Sequence, residues 1–176
     1  MTKTLHKIIG IAAAIAMTTA LTACGDDDDE PKTPTQPATV ASYKAVYTVE
    51  CSADVYKYFD VEVTYTDSDG STKTETVTGP FNKTVTINAA SAPSKAVLKA
   101  EGTPKTDYPA IDPEGAYQID RTYTFSLYAL TATGELVSSE TMPDISYMEL
   151  SGDVLTRWME AGRILNICDR SINLNK

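Results

Sequence analysis

The chain has 176 residues, with 24 acidic against 15 basic side chains and a net charge of −9. That length suits one domain with one core, and the acidic balance argues against nucleic acid as a partner, since phosphates need a Lys/Arg surface. The single histidine, His6, precedes the first cysteine, so the remainder of the chain has no Ser-His-Asp or Cys-His chemistry and no histidine-ligated metal.

Residues 1–23 have the three parts of a secretory signal: basic Lys3, His6 and Lys7, an apolar run over 8–17, then small residues. The run is far shorter than the roughly 20 residues a spanning helix needs, which disfavours the alternative of a retained anchor. It ends in Leu21-Thr22-Ala23-Cys24, which resembles the lipobox of bacterial lipoproteins. The resemblance implies cleavage before Cys24, a diacylglycerol on its thiol and acylation of the freed amine. Two or more chains hold a protein stably at a membrane where one myristoyl-sized chain does not.

Asp26, Asp27, Asp28, Asp29 and Glu30 follow directly. This block resembles the lipoprotein export signal of Bacteroidetes, and the resemblance implies display on the outer face of the outer membrane. Both likenesses cover residues 1–30 only. Residues 24–42, with Pro31, Pro34 and Pro37, read as an extended tether, because like charges repel and prolines stiffen. Without Lys3 and Lys7 the chain from Cys24 on has 13 basic and 24 acidic side chains, a net −11, of which −5 sits at 26–30. The remaining −6 is repelled by anionic headgroups, so membrane contact is expected through the lipid alone.

Residues 43–176 form the expected domain. Over 43–51, Tyr43, Ala45, Tyr47, Val49 and Cys51 alternate with polar positions, a half-buried strand with Cys51 inward. Over 55–66 the same pattern sets Val55, Phe59, Val61, Val63 and Tyr65 on one face. Asp67-Ser68-Asp69-Gly70 supplies a hairpin turn, and threonine-rich 71–78 returns as a solvent-washed edge strand. After Gly79-Pro80, strands are expected over 84–89 and 95–101. A Pro/Gly-rich connection over 102–115 crosses one end of the domain. The strongest strand signal is 116–132, with Tyr117, Ile119, Tyr123, Phe125, Leu127 and Ala129 on one face; it is long enough to bend midway. Thr133-Gly134 turns it into 135–141.

From Asp153 the period changes. Val154, Trp158, Ala161, Leu165 and Cys168 fall at steps of four, three, four and three, an amphipathic helix stripe that Ser151 or Asp153 could cap. Residues 164–168 are also strand-compatible. The pattern as a whole predicts an all-β fold: an antiparallel β-sandwich, immunoglobulin/fibronectin-like, with a C-terminal amphipathic helix over one face or end. A small closed barrel is the alternative.

Chemistry is sparse. With Cys24 committed to lipid, Cys51 and Cys168 either bridge, at about 5 kcal/mol in the chain-entropy model, or stay as two buried thiols. Asp67-Ser68-Asp69-Gly70 resembles the start of a calcium loop, but position twelve is Thr78 rather than an acid, so a turn is the simpler reading. No metal and no cofactor are expected. Tyrosine outnumbers phenylalanine ten to three. Tyr56, Tyr58 and Tyr128 stand opposite apolar faces and would form a binding platform for glycan or protein if exposed, or a second core layer if the helix covers them. The expected function is a non-enzymatic surface lipoprotein with a binding or structural role. The alternatives are a fimbrial/adhesin-type subunit and a small carboxylate-based glycan hydrolase.

Overall fold

Period-two alternation becomes two antiparallel sheets of four strands, packed face to face. The computed structural model describes residues 38–174, so residues 1–37, with Cys24 and the acidic block 26–30, lie outside the described residues. The first sheet has the order β4 (Phe81–Asn88), β1 (Ser42–Cys51), β7 (Arg121–Leu130), β8 (Leu136–Ser146). The second runs β10 (Leu165–Asn173), β5 (Lys95–Pro104), β2 (Phe59–Thr66), β3 (Thr72–Val77). The expected sandwich is therefore the architecture found. The second sheet follows the G-F-C-C′ order of immunoglobulin variable domains, with β1 and β4 in the B and E places. Beside β1, where those domains put their first strand, this chain puts β7 and β8, inserted between the F and G equivalents.

The inner faces meet in a tyrosine-rich core. Tyr43, Ala45, Tyr47 and Val49 of β1 and Tyr123, Phe125, Leu127 and Ala129 of β7 face Val61, Val63 and Tyr65 of β2 and Ala96, Leu98 and Ala100 of β5, all buried. Tyr47 stacks on Phe125 at 5.0 Å between ring centres and tilts against Tyr65 at 5.6 Å, which joins the two sheets. Its hydroxyl donates to the Thr66 carbonyl at 2.9 Å, so its polar end is satisfied inside the core.

Both open seams are closed by charge. On one side Glu75 of β3 accepts from the Tyr65 hydroxyl (2.5 Å) and pairs with Lys83 of β4 (3.1 Å). On the other Arg170 of β10 reaches Asp144 of β8 (3.7 Å) and lies over the Tyr123 ring. β3 is the expected solvent-washed edge.

Three expectations are corrected. Residues 55–58 do not extend β2; α1 (Ala53–Tyr58) is a short helix. Val55 and Tyr58 are three apart and both buried, a spacing that meets one helical face but opposite strand faces. The long strand over 116–132 splits into β6 (Ala116–Gln118) and β7. Between them Asp120 turns away, its carboxylate accepting from Met148 N–H (3.0 Å) while its own N–H donates to Ser52 Oγ (3.1 Å). β6 pairs instead with β9 (Glu149–Ser151). Finally, α2 (Gly152–Glu160) is not the last element. It ends before β10, the strand allowed as the alternative for 164–168. α1, the β6–β9 ribbon and α2 thus gather at one end of the sandwich, while β1 starts at the other, where Ala41 donates to the Leu130 carbonyl (2.8 Å).

Candidate functional site: the helical end of the sandwich

Helix α2 is held by its neighbours rather than by a side-chain cap. Ser151 occupies the N-cap position but makes no capping hydrogen bond. The first helical N–H, that of Gly152, instead donates to the Gly115 carbonyl (2.9 Å), which ties the helix to the connection before β6. Leu155 and Met159, four apart, are buried beneath the helix, and Val154 and Trp158, also four apart, are half-buried on its flank.

The C-terminus positions the site. Gly162 takes φ +61°, the left-handed conformation that glycine adopts without a Cβ penalty. This lets Gly162 N–H donate to Met159 O (3.0 Å) and Arg163 N–H to Trp158 O (3.2 Å), the paired bonds of a Schellman ending. Arg163 is thereby brought back beside Trp158, whose indole N–H donates to the Arg163 carbonyl at 2.8 Å. The indole also meets Phe59 edge to face at 6.4 Å. A hollow of about 280 Å³ opens there, lined by Val154, Arg157, Trp158 and Arg163.

The two guanidiniums are not neutralised locally. Arg157 Nε donates to the Asp153 carbonyl (3.3 Å), and the residue is exposed. Among the described residues neither Arg157 nor Arg163 joins an ion pair, whereas Lys73, Lys83, Lys99 and Arg170 each hold a carboxylate.

The residues singled out in the sequence fall elsewhere. Tyr56, Tyr58 and Tyr128 do not form one exposed platform. Tyr58 is fully buried, edge to face with Tyr117 (5.5 Å) and Tyr108 (6.3 Å), because the helical turn of α1 rotates it inward. Its cover comes from β6 and the connection before it. Tyr56 is half-buried, and its hydroxyl accepts from Cys51 N–H (3.1 Å). Tyr128 lies half-buried on the outer face of the first sheet, paired with Lys44 and Ser139.

Cys51 and Cys168 are free thiols rather than a bridge. Burial pushes the Cys51 thiol up to about 11 and the Cys168 thiol up to about 12, so both stay protonated and unreactive near neutrality. Asp67-Ser68-Asp69-Gly70 is a hairpin turn. Gly70 sits at φ +83°, Asp67 N–H donates to Ser71 O (2.8 Å), and Asp69 accepts from Ser71 N–H (2.9 Å). The Asp67 carboxylate is taken by Lys73. Among the described residues no group of three or more His, Cys, Asp or Glu could hold a metal ion.

Val154, Arg157 and Arg163 were not legible as site residues. The one signal was Gly162, placed to end a helix and so to return Arg163 toward Trp158. No family model, curated protein or solved structure matches the chain.

Proposed function

We propose that this protein is a lipid-anchored protein of the outer cell surface whose sandwich is a non-enzymatic binding module. The observation that carries the binding role is the hollow itself, where an indole held by its bond to the Arg163 carbonyl sits with two arginines that join no ion pair among the described residues. Its position supports the same reading. β1 begins at the opposite end from α2, so a tether preceding residue 38 joins the domain away from the hollow. The lipid-anchor reading comes from Leu21-Thr22-Ala23-Cys24 and the carboxylates behind it.

The non-enzymatic part rests on chemistry. Thiols held protonated, Cys51 half-buried and Cys168 buried, in a histidine-free domain do not supply an activated cysteine nucleophile with a histidine base beside it. The test is whole-cell protease shaving combined with Cys24→Ser. The account expects the wild-type domain to be shaved from intact cells, and the variant to lose palmitate labelling and membrane retention. Retention unchanged in the variant, or a domain shielded from protease until cells are broken, contradicts it.

A second reading, a self-assembling subunit of the fimbrial/adhesin type, is favoured by one feature. β8 is an eleven-residue edge strand that exposes Leu136, Val137 and Ile145. Pro143 interrupts that edge, and Glu140 and Asp144 lie on its inward-facing register, devices that discourage strand addition. Polymers in sedimentation would favour this reading, and a discrete monomer would remove it.

A further inference from the structure

The hollow beside α2 has a chemistry that narrows its ligand. Its floor is apolar and rigid: Val154 and the indole of Trp158, the latter fixed by its bond to the Arg163 carbonyl and its edge contact with Phe59. Its rim is cationic, because Arg157 and Arg163 both line it and neither is ion-paired among the described residues. Over residues 31–176 the net charge is −6, and two guanidiniums that line one hollow without an ion pair among the described residues offer a place for an anion.

Guanidinium presents a planar fork that matches a carboxylate bidentately, which a lysine ammonium does not. At about 280 Å³ the space lies just below the roughly 300–1,000 Å³ of drug-sized sites, so it takes a single ring rather than a chain of them. An acidic peptide carries its carboxylates on flexible stems and gains little from a rigid indole floor. A pyranose ring bearing a carboxylate satisfies both parts. Its C–H face lies on the indole and Val154, and its carboxylate meets the arginine forks.

We propose that the hollow formed by Val154, Arg157, Trp158 and Arg163 binds one carboxylate-bearing sugar residue, of the uronic-acid type, as part of a larger glycan. This deepens the binding-module reading and rests on it.

Trp158 is the only tryptophan of the chain, so its selectively excited emission reports on this hollow alone. The experiment titrates the full-length protein in detergent micelles with sodium glucuronate, and separately with glucose, sodium sulfate and a short poly-glutamate peptide. The proposal expects a saturable change in Trp158 emission with glucuronate, at least tenfold weaker binding of the other three, and weakening by added NaCl. Arg157→Gln and Arg163→Gln should each weaken glucuronate at least tenfold while leaving the thermal midpoint within a few degrees, since both side chains are exposed. Equal binding of glucose, sulfate or the peptide overturns the acidic-sugar assignment and leaves the binding-module reading standing. Silence of Trp158 toward all four probes overturns the hollow as a ligand site, while surface display is still judged by the Cys24→Ser experiment.

Discussion

Trp158 and Arg163 are bound to each other twice, the Arg163 N–H donating to the Trp158 carbonyl and the Trp158 indole donating to the Arg163 carbonyl. Five residues apart, they close a ring of chain around Gly162, the residue whose positive φ makes the return possible. A Cβ at position 162 would touch nothing within 4 Å, so its cost is purely conformational. Gly162→Ala is expected to lose about 1 kcal/mol in urea unfolding and to red-shift Trp158 emission as the indole loosens. Unchanged emission would mean that the Schellman ending does not hold the ring.

The other end of α2 makes the opposite test. A Cβ on Gly152 would lie 1.8 Å from the Asp112 carbonyl oxygen and 2.9 Å from Pro113 Cα, all backbone that cannot rotate away. Gly152→Ala should therefore cost about 3 kcal/mol or displace the helix. Gly79, with nothing within 4 Å and no positive φ, supplies the control, and its alanine variant should stay within about 0.5 kcal/mol of wild type. Equal losses at 79 and 152 would refute the close packing of α2 on the connection.

Two buried tyrosines should respond in opposite directions to loss of the hydroxyl. Tyr47 donates to Thr66 O, whereas among the described residues the buried Tyr58 hydroxyl meets no hydrogen-bond partner of good geometry. Tyr47→Phe should lose about 1 kcal/mol, and Tyr58→Phe should be neutral or gain up to about 1 kcal/mol. Chemical denaturation of both variants checks this; destabilisation by Tyr58→Phe would show that its hydroxyl does find a partner.

Acid should act first on the β2–β3 hairpin and the seam beside it. Lys73 holds the Asp67 carboxyl below the usual carboxylate range, the Ser71 hydroxyl and N–H do so for Asp69, and the Tyr65 hydroxyl, then Lys83, for Glu75. A carboxyl whose value is depressed by folding stabilises the fold at pH above its unfolded value of about 4, and that contribution is lost as pH falls through the lower folded value. The thermal midpoint should accordingly be flat from neutrality to about pH 5 and fall below about pH 4. Glu75→Gln should make that fall shallower, and an unaltered acid slope in the variant would contradict the assignment.

Much of the fold was legible because one face of each central strand is buried, so the two-residue period survives in the sequence. β1, β2 from Phe59, and β7 all show it. The failures occurred where two periods fit the same residues. Val55 and Tyr58 satisfy a helix turn as well as a strand, and only the contacts of Tyr58 with Tyr108 and Tyr117 decide between them. The break at Asp120 depends on hydrogen bonds to Ser52 and Met148, distant partners that no local pattern announces. The hollow was illegible for a related reason. Arg157 lies within the helix and Arg163 beyond it, and they share a site only because the chain reverses at Gly162.

The proposed lipid anchor rests on Leu21-Thr22-Ala23-Cys24 at the amino end. Intact-mass and peptide mass spectrometry of the protein extracted from membranes tests it most directly. The account predicts a chain that begins at Cys24 and carries diacylglycerol and N-acyl mass on that residue. Recovery of residues 1–23 still attached to an unmodified Cys24 would contradict it.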